Sequence, residues 1–412
     1  MAPDATQLAL GDLTENFDAM RLPVKQSQRR SGPYPYYGAS GIVDHVDRYI
    51  FDGEYLLIAE DGENLRTRNT PIAFLARGKF WVNNHAHIVR GTDAADTRYL
   101  LYALLATDIR GYLTGSTMPK LTQANLNRLP IPAPPLAEQR AIAHILGTLD
   151  DKIELNRRMA ETLEAIARAI FKSWFVDFDP VRAKAEGRDT GLPKEIADLF
   201  PDRLVESEIG EVPRTWLSAQ FSEIAFPRRE RLGERRGVVL SAIASGHLVP
   251  SESHFTKKVY SKDTSKYLAV HPGDFAYNPS RINIGSIGMS LQPGLGAVSP
   301  VYVVFQPRPA YGWLIDFLLR TPSVREWITT LASGSVRQSL SWSDFASIPV
   351  VVPPQPLVEV FNALWSSLRH GIEARALQGA TLCALRDTLL PKLISGELRV
   401  PEAMLRVEEA TA

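Results

Sequence analysis

The 412-residue chain contains one cysteine, Cys383. That scarcity excludes an intramolecular disulfide and a cysteine-based zinc cluster. Long apolar runs are missing as well: nothing approaches the roughly 18 residues a membrane span requires. The opening stretch MAPDATQLALGDL has neither a basic start nor an apolar core. No secretory signal is therefore expected, and the compartment is taken by default as cytoplasmic. Charge of one sign is also lacking, since 46 basic residues face 46 acidic ones. This balance argues against a nonspecific nucleic-acid coat and leaves room for local basic faces. Catalytic signatures are absent: there is no phosphate loop of the G-x-x-x-x-G-K-[ST] type, no G-x-S-x-G elbow and no H-E-x-x-H.

What is present is a soluble, globular composition, 45% hydrophobic and 22% charged, in a chain long enough for two or three domains. Its organising stretch is 134–175. Pro134 and Pro135 stand where a helix can start. Behind them Ile142, Leu146, Leu149, Ile153, Asn156, Ala160, Leu163, Ala167, Ile170 and Trp174 follow in alternating steps of four and three. A spacing averaging about 3.5 residues marks a helix–helix seam. At 1.5 Å per residue this helix is about 60 Å long, so it requires a partner.

The chain supplies one. A shift of 219 residues maps Leu129-Pro130 onto Ile348-Pro349, Pro134-Pro135 onto Pro353-Pro354, Leu149 onto Leu368, Leu163 onto Leu382 and Ile170 onto Leu389, without a gap. Gly115-Ser116 and Leu121-Thr122 map onto Gly334-Ser335 and Leu340-Ser341. This period indicates duplication of a whole domain rather than a solenoid. The second helix is less regular, with Arg375 and Gly379 at its middle seam positions. Asn156 in the first seam either fixes register as a buried amide or faces water where the helices diverge.

The predicted order is domain, helix, domain, helix, in an α/β (α+β) fold whose two long helices pair as an antiparallel coiled coil. Residues 1–133 form the first domain, 134–180 the first long helix, 181–213 a linker, 214–353 the second domain, 354–391 the second long helix, stopped by Pro391, and 392–412 a charged tail. In the first domain, strands are expected at Glu54–Ile58, Ile72–Ala76 and Phe80–Val82. Turns at Asp61-Gly62 and Arg77-Gly78-Lys79 separate them, and a helix follows at about 97–110, capped by Asp96 or Thr97. In the second domain, strands are expected at Val238–Ile243, Asp274–Tyr277 and Val301–Phe305, with a helix at about 312–332.

Candidate contacts lie in polar and basic loops. The first domain offers Tyr36, Tyr37 and Ser40 in an aromatic, small-residue loop, then Arg66 and Arg68, Lys79, Asn83-Asn84-His85, and Lys120, Thr122 and Gln123. The second offers Arg228, Arg229, Arg231, Arg235 and Arg236, then Lys257, Lys258, Lys262 and Lys266, and finally Asn278, Arg281, Asn283 and Arg337-Gln338-Ser339. Residues 214–350 carry about six more basic than acidic groups. Arg, Asn and Gln read base edges, while Lys, Arg, Ser and Thr hold phosphates, so repeated clusters of this kind favour nucleic acid. His85-Ala86-His87 places two imidazoles on one strand face with no third ligand apparent; a hydrogen-bonding pair is expected ahead of a metal site. Asn278-Pro279-Ser280-Arg281 approaches the N-P-P-[YF] motif of adenine methyltransferases. Its last two residues differ and no glycine-rich cofactor loop accompanies it, so it is read as a turn.

The strings YPYYGASGIVDHVDRYIFDGEYLLIAEDGENL, GKFWVNNHAHIVRG, TGSTMPKLT and PIPAPPLAEQRAIAHILGTLDDKIELNRRMAETLEAIARAIFKSWFVDFDP resemble the first recognition domain and central region of type I restriction-modification specificity subunits. The second domain resembles that family mainly by position, by GSVRQSL and by VPP before a helix. The resemblance implies a noncatalytic subunit that reads a bipartite, asymmetric target in double-stranded DNA, one half per domain. It implies two methyltransferase subunits and further motor-nuclease subunits as partners. S-adenosylmethionine, Mg²⁺ and ATP would belong to those partners, and this chain would hold no cofactor or metal. Ile142, Leu146, Leu149, Ile153, Asn156, Leu163, Ile166 and Ile170 become the candidate interface residues of the helical region. The alternatives are a solitary DNA methyltransferase or nuclease, and a protein-binding scaffold.

Overall fold

The computed structural model describes residues 6–244, 246–254, 260–332 and 339–411. The chain divides into two compact units, Met1–Met159 with Ala374–Ala412, and Ala160–Glu373. Among the described residues no helix is long and apolar enough to cross a membrane.

The first unit is built on a six-stranded sheet in the order Thr14–Asn16, Ala86–Gly91, Phe51–Ala59, Ala73–Val82, Tyr34–Gly38, Gly41–Val46. Every pairing is antiparallel except that of Tyr34–Gly38 with Ala73–Val82. Successive side chains of a strand point to opposite faces, and here both faces are covered. Leu56 and Ile58 enter a core with the helix Thr97–Ala106 and the start of the first long helix. Leu57 enters a second core with Phe51, Phe80, Tyr55 and Phe74. Asp96 caps the helix, its carboxylate accepting from the Arg98 and Tyr99 N–H groups. Buried Gln139 ties this cap to the long helix: its side-chain oxygen accepts from the Asp96 N–H at 3.0 Å, and its amide donates to the Ala94 and Pro134 carbonyls.

The second unit carries an eight-stranded mixed sheet, in the order Ala225–Arg228, Val303–Pro307, Phe275–Tyr277, Ile287–Ser290, His247–Pro250, Val238–Ala242, Gly296–Val298, Leu268–Val270. The two sheets differ, and the duplication resides in the frame around them. Helices Gln123–Asn127 and Trp342–Ala346 are offset by 219 residues at both ends, as are the 40-residue helices Leu136–Phe175 and Gln355–Ile394. Thr122 and Ser341 cap the short helices in the same way, each side-chain oxygen accepting an N–H three residues on. Strand Gln7–Ala9 pairs with Pro130–Pro132, and Leu217–Gln220 with Pro349–Val352. Just beyond each, Leu10 N–H donates to the Leu129 carbonyl and Phe221 N–H to the Ile348 carbonyl, both at 2.9 Å.

Seam residues Ile142, Leu146 and Leu149 are buried in the first unit's core together with Leu382 and Leu389. Ile153 is partly buried against the same core, and Asn156 is buried. In the second unit Gly371 lets Leu163 approach: a methyl there would stand 3.0 Å from Leu163 Cδ1. Phe171 meets Phe361 with ring centroids 5.7 Å apart, so the helices of this unit pass antiparallel. Ile170 packs on the same core, whereas Ile166 is exposed. The seam residues are thus engaged within the chain, and Ile166 is the one of the set left facing solvent. Ile145, on the flank of the seam, is buried.

Several expectations are corrected. The turn at Arg77-Gly78-Lys79 does not form; Ala73–Val82 is one strand, with Gly78 opposite Gly53 and both at positive φ, and the ladder runs through the pair without reversing. The helix at 312–332 is two, Gly312–Leu318 and Pro322–Leu331, because Pro322 opens a new helix that Thr321 caps. The linker 181–213 carries local structure, in helices Asp179–Ala185 and Lys194–Ala197 and a hairpin, and buried Val181, Phe200 and Val212 anchor it. Pro391 does not stop the second helix, which reaches Ile394 because Leu389, Leu393 and Ile394 are drawn into the core. The tail is likewise folded: Val400–Thr411 is helical, and Leu398 and Ala403 are buried.

Candidate nucleic-acid interface

At one edge of the first unit the chain brings distant turns together. Leu121 N–H donates to the Glu60 carbonyl at 2.8 Å, Glu60 N–H to the His85 carbonyl at 2.9 Å, and Gly62 N–H to the Pro119 carbonyl at 3.1 Å. Thr114 and Lys120 exchange two backbone bonds of 2.8 Å, closing the GSTMP loop into a strap. Asn83 N–H donates to the Tyr37 carbonyl, which seats the Asn83–His85 turn beside the hairpin of Tyr34–Gly38. Arg66 holds the strap from the other side, donating to the Gly115 carbonyl at 2.9 Å and the Ser116 carbonyl at 3.2 Å.

A buried charge network lies under this edge. His87 places Nδ1 2.5 Å from Asp18 Oδ2 and Nε2 2.7 Å from the Leu121 carbonyl. Asp18 Oδ1 accepts from the Ile88 N–H at 2.9 Å. Arg21 donates to Glu60 Oε2 at 2.6 Å and to the Ala86 carbonyl at 2.9 Å, and Lys120 Nζ lies 3.0 Å from Glu60 Oε1. Burial works to raise the Asp18 carboxyl, but the His87 bond and charge, the Ile88 N–H and Arg21 hold it below its ordinary value. Glu60 is lowered in the same way, burial being outweighed by Arg21, Lys120 and His87.

Ser40, Arg66, Asn84, His85, Lys120 and Gln123 are exposed on these segments. Others of the candidates are occupied structurally. Tyr36 lies in a strand rather than a loop and is 1% exposed; its hydroxyl accepts from the Val24 N–H and Arg29 covers its ring. Half-buried Tyr37 packs on Phe74 and Phe80. Arg68 caps the helix Thr97–Ala106, donating to the Leu105 and Thr107 carbonyls. Asn83 is buried, its side-chain oxygen accepting from the His85 N–H at 2.8 Å. Lys79 sits opposite Asp52 in the ladder, over the Tyr49 ring. The two histidines do not share a strand face: the strand begins at Ala86, His85 pairs with Asp61 at 2.8 Å in the preceding turn, and His87 turns inward to Asp18. Sequence reasoning missed Asp18, Arg21 and Glu60. Only Glu60 carried a signal, as a charge closing the apolar run Tyr55–Ala59.

In the second unit the loop 228–236 is braced by two of its own arginines. Arg228 Nε stands 2.9 Å from buried Asp274 and also reaches Gln306. Arg235 holds Glu230 and the Leu232 carbonyl. Arg229, Arg231 and Arg236 are exposed. Two bonds to Glu230, from His271 and Arg235, hold its carboxyl at about 2. The stretch Asn278–Arg281 is a turn, as expected, with Asn278 Oδ1 accepting from the Ser280 N–H at 3.1 Å. Leu340 N–H donates to the Pro279 carbonyl, so exposed Ser339 and Arg281 belong to one loop cluster. Asn283 lines a cleft of about 420 Å³ with Arg320, Arg325 and Asp316. Lys257, Lys258, Gly334, Ser335, Arg337 and Gln338 lie outside the described residues.

Residues 4–165 match the family model described as the type I restriction modification DNA specificity domain. The class is thus that of DNA-specificity modules. The chain is 28% identical to the type I restriction enzyme MjaIX specificity subunit of Methanocaldococcus jannaschii, over 90% of this chain and 88% of that protein. It is 46% identical to the putative type I restriction enzyme specificity subunit S.HindORF215P of Haemophilus influenzae, over 31% of this chain and a third (33%) of that relative. In fold it is similar to the crystal structure of the type I restriction-modification system S subunit from M. genitalium, with a TM-score of 0.58, 16% identity, and coverage of 94% and 96% of the two chains. Residues 4–165 thus carry that specificity domain, and over most of its length the chain is similar to type I restriction enzyme specificity subunits.

Proposed function

We propose that this chain is the noncatalytic reading subunit of a cytoplasmic type I complex. Each unit takes one half of a bipartite, asymmetric target in double-stranded DNA, and the helical region recruits two adenine methyltransferase subunits and the motor-nuclease subunits. The carrying observation is the duplicated frame: two helices of 40 residues, offset by 219 at both ends, each preceded by a capped short helix. Such a frame supports two equivalent stations for DNA, each with its own loops. Ser40, Asn84, His85, Lys120 and Gln123 in the first unit, and Arg229, Arg281, Asn283 and Ser339 in the second, are the exposed groups proposed to touch it. S-adenosylmethionine, Mg²⁺ and ATP are assigned to the partners.

Comparing methylated sites in the DNA of cells with and without this chain, both supplied with the partner subunits, tests the reading. Appearance of one interrupted motif that depends on the chain is the expected outcome. Methyl transfer by the purified chain alone would overturn the noncatalytic assignment. Binding without steep salt dependence would overturn the DNA assignment, because phosphate contacts release counterions.

A further inference from the structure

His87 is fully buried, and both its ring nitrogens face acceptors, the Asp18 carboxylate and the Leu121 carbonyl. A neutral imidazole donates from only one nitrogen. Asp18 is itself fixed as an acceptor, since its other oxygen takes the Ile88 N–H and Arg21 lies 3.4 Å away. The arrangement is satisfied when both nitrogens carry protons. The charged groups facing the ring are Asp18, Arg21 through Asp18, and Glu60 with Oε2 3.9 Å from Nδ1. The bond to Leu121 falls between Lys120, which reaches back to Glu60, and Thr122, which caps the next helix.

We propose that doubly protonated His87 is a positioning residue. It pins the strap 114–122 to the sheet and so sets Lys120 and the start of helix Gln123–Asn127 where the first unit meets DNA. The inference rests on the DNA-reading proposal for its purpose, and on geometry alone for the pinning. Loss of the second proton removes one of the two donors, and Leu121 or Asp18 is left facing a lone pair. Asp18→Asn offers a neutral solution to the same geometry: the Asn amide donates to Nδ1 and Nε2–H still donates to Leu121.

The test uses the full chain with ¹⁵N-labelled histidine. The ring nitrogens of His87 are followed with pH, and hydrogen-exchange protection of the Lys120 and Leu121 amides is measured on the same samples without DNA. Two protonated ring nitrogens are expected in the folded chain, with strap protection falling about tenfold where the second proton leaves, the scale of one hydrogen bond to a charged donor. Asp18→Asn is expected to keep its protection across that range, and His87→Gln to show the lower value throughout. A ring singly protonated wherever the chain is folded, or protection that ignores the ring's titration, overturns the inference. If the ring stays doubly protonated wherever the chain is folded, unchanged protection in His87→Gln overturns it. Salt-dependent DNA binding, measured in parallel with the partner subunits present, separates the two claims. Failure to bind DNA at all rejects the reading function, and binding that His87→Gln leaves unaltered rejects the positioning role.

Discussion

The carboxylate of Asp150 stands 2.8 Å from the guanidinium of Arg386, 236 residues further on, and accepts the Tyr102 hydroxyl at 2.6 Å. One acid thus ties the domain helix Thr97–Ala106 to both long helices of the first unit. Burial and the adjoining carboxylate push the Tyr102 hydroxyl far above its ordinary value, so it remains a donor. Tyr102→Phe is expected to cost about 1–2 kcal/mol, one hydrogen bond to a charged acceptor. Arg386→Ala should cost about 1 kcal/mol, since both partners are roughly a third exposed and solvent screens the pair. Denaturant unfolding of the two variants and of the double mutant measures the coupling. Strict additivity would mean that the three groups do not act as a unit.

Lys120 and Asn84 should separate holding from reading. Lys120→Ala removes a cation 49% exposed at the strap. It is expected to weaken binding on every sequence and to reduce the salt slope by about 1. Asn84→Ala, on the neighbouring turn, should relax one half of the target by about 1–3 kcal/mol per lost base contact. Binding to a panel of half-site variants at several salt concentrations reads both. A Lys120→Ala effect confined to one base pair would reverse the assigned roles.

The two units should respond differently to acid. Asp18, Glu54 and Glu60 in the first unit are held below their ordinary values; burial works against this, but Arg, Lys and His partners outweigh it. A depressed carboxyl lends stability above its unfolded value, and that stability is lost as pH falls through the folded value. Asp274 and Asp316 in the second unit are raised, chiefly by burial. Their contribution is present at low pH and is lost as pH rises through the folded value. Hydrogen exchange of core peptides on either side of about pH 4 is expected to show the first unit loosening on acidification, with the second partly protected by its two aspartates. Equal loosening of both cores would refute this assignment.

Much of this architecture was legible because periodicity and repetition are local signals. The four-three spacing from Ile142 to Trp174 and the shift of Leu129 onto Ile348 marked both helices, and the structure places their ends at the same offset. The cap at Asp96 was equally legible, being a short-range rule. Long-range pairing was not. Asp18 meets His87 across 69 residues, and no spacing within either segment foretells it. Tyr36 looked like a loop aromatic because Gly38 to Gly41 reads as a loop, yet the stretch is a hairpin whose tyrosine points into the core. Pro391 obeyed local propensity less than it obeyed burial of Leu389 and Leu393 on either side. At the candidate interface the exposed polar turns were identified, whereas the acids that fix them were not, because a buried acid resembles a surface one until its partner is known.

Helix length is the last variable. Both long helices pass from one unit to the other, after Met159 and after Glu373. If they set the gap between half-sites, four residues inserted at each point lengthen the frame by about 6 Å, at 1.5 Å per residue. DNA advances about 3.4 Å per base pair, so the gap should widen by about one or two pairs. Four residues exceed one turn by only about 40°, which keeps the seam facing its partner in both helices. The half-site bases should be unchanged, because no reading loop is altered. Methylation mapping of the double insertion, with the partner subunits present, compares gap and bases directly. An unchanged gap at full activity would show that the helices do not measure it, and the spacing would then have to be set within the two units.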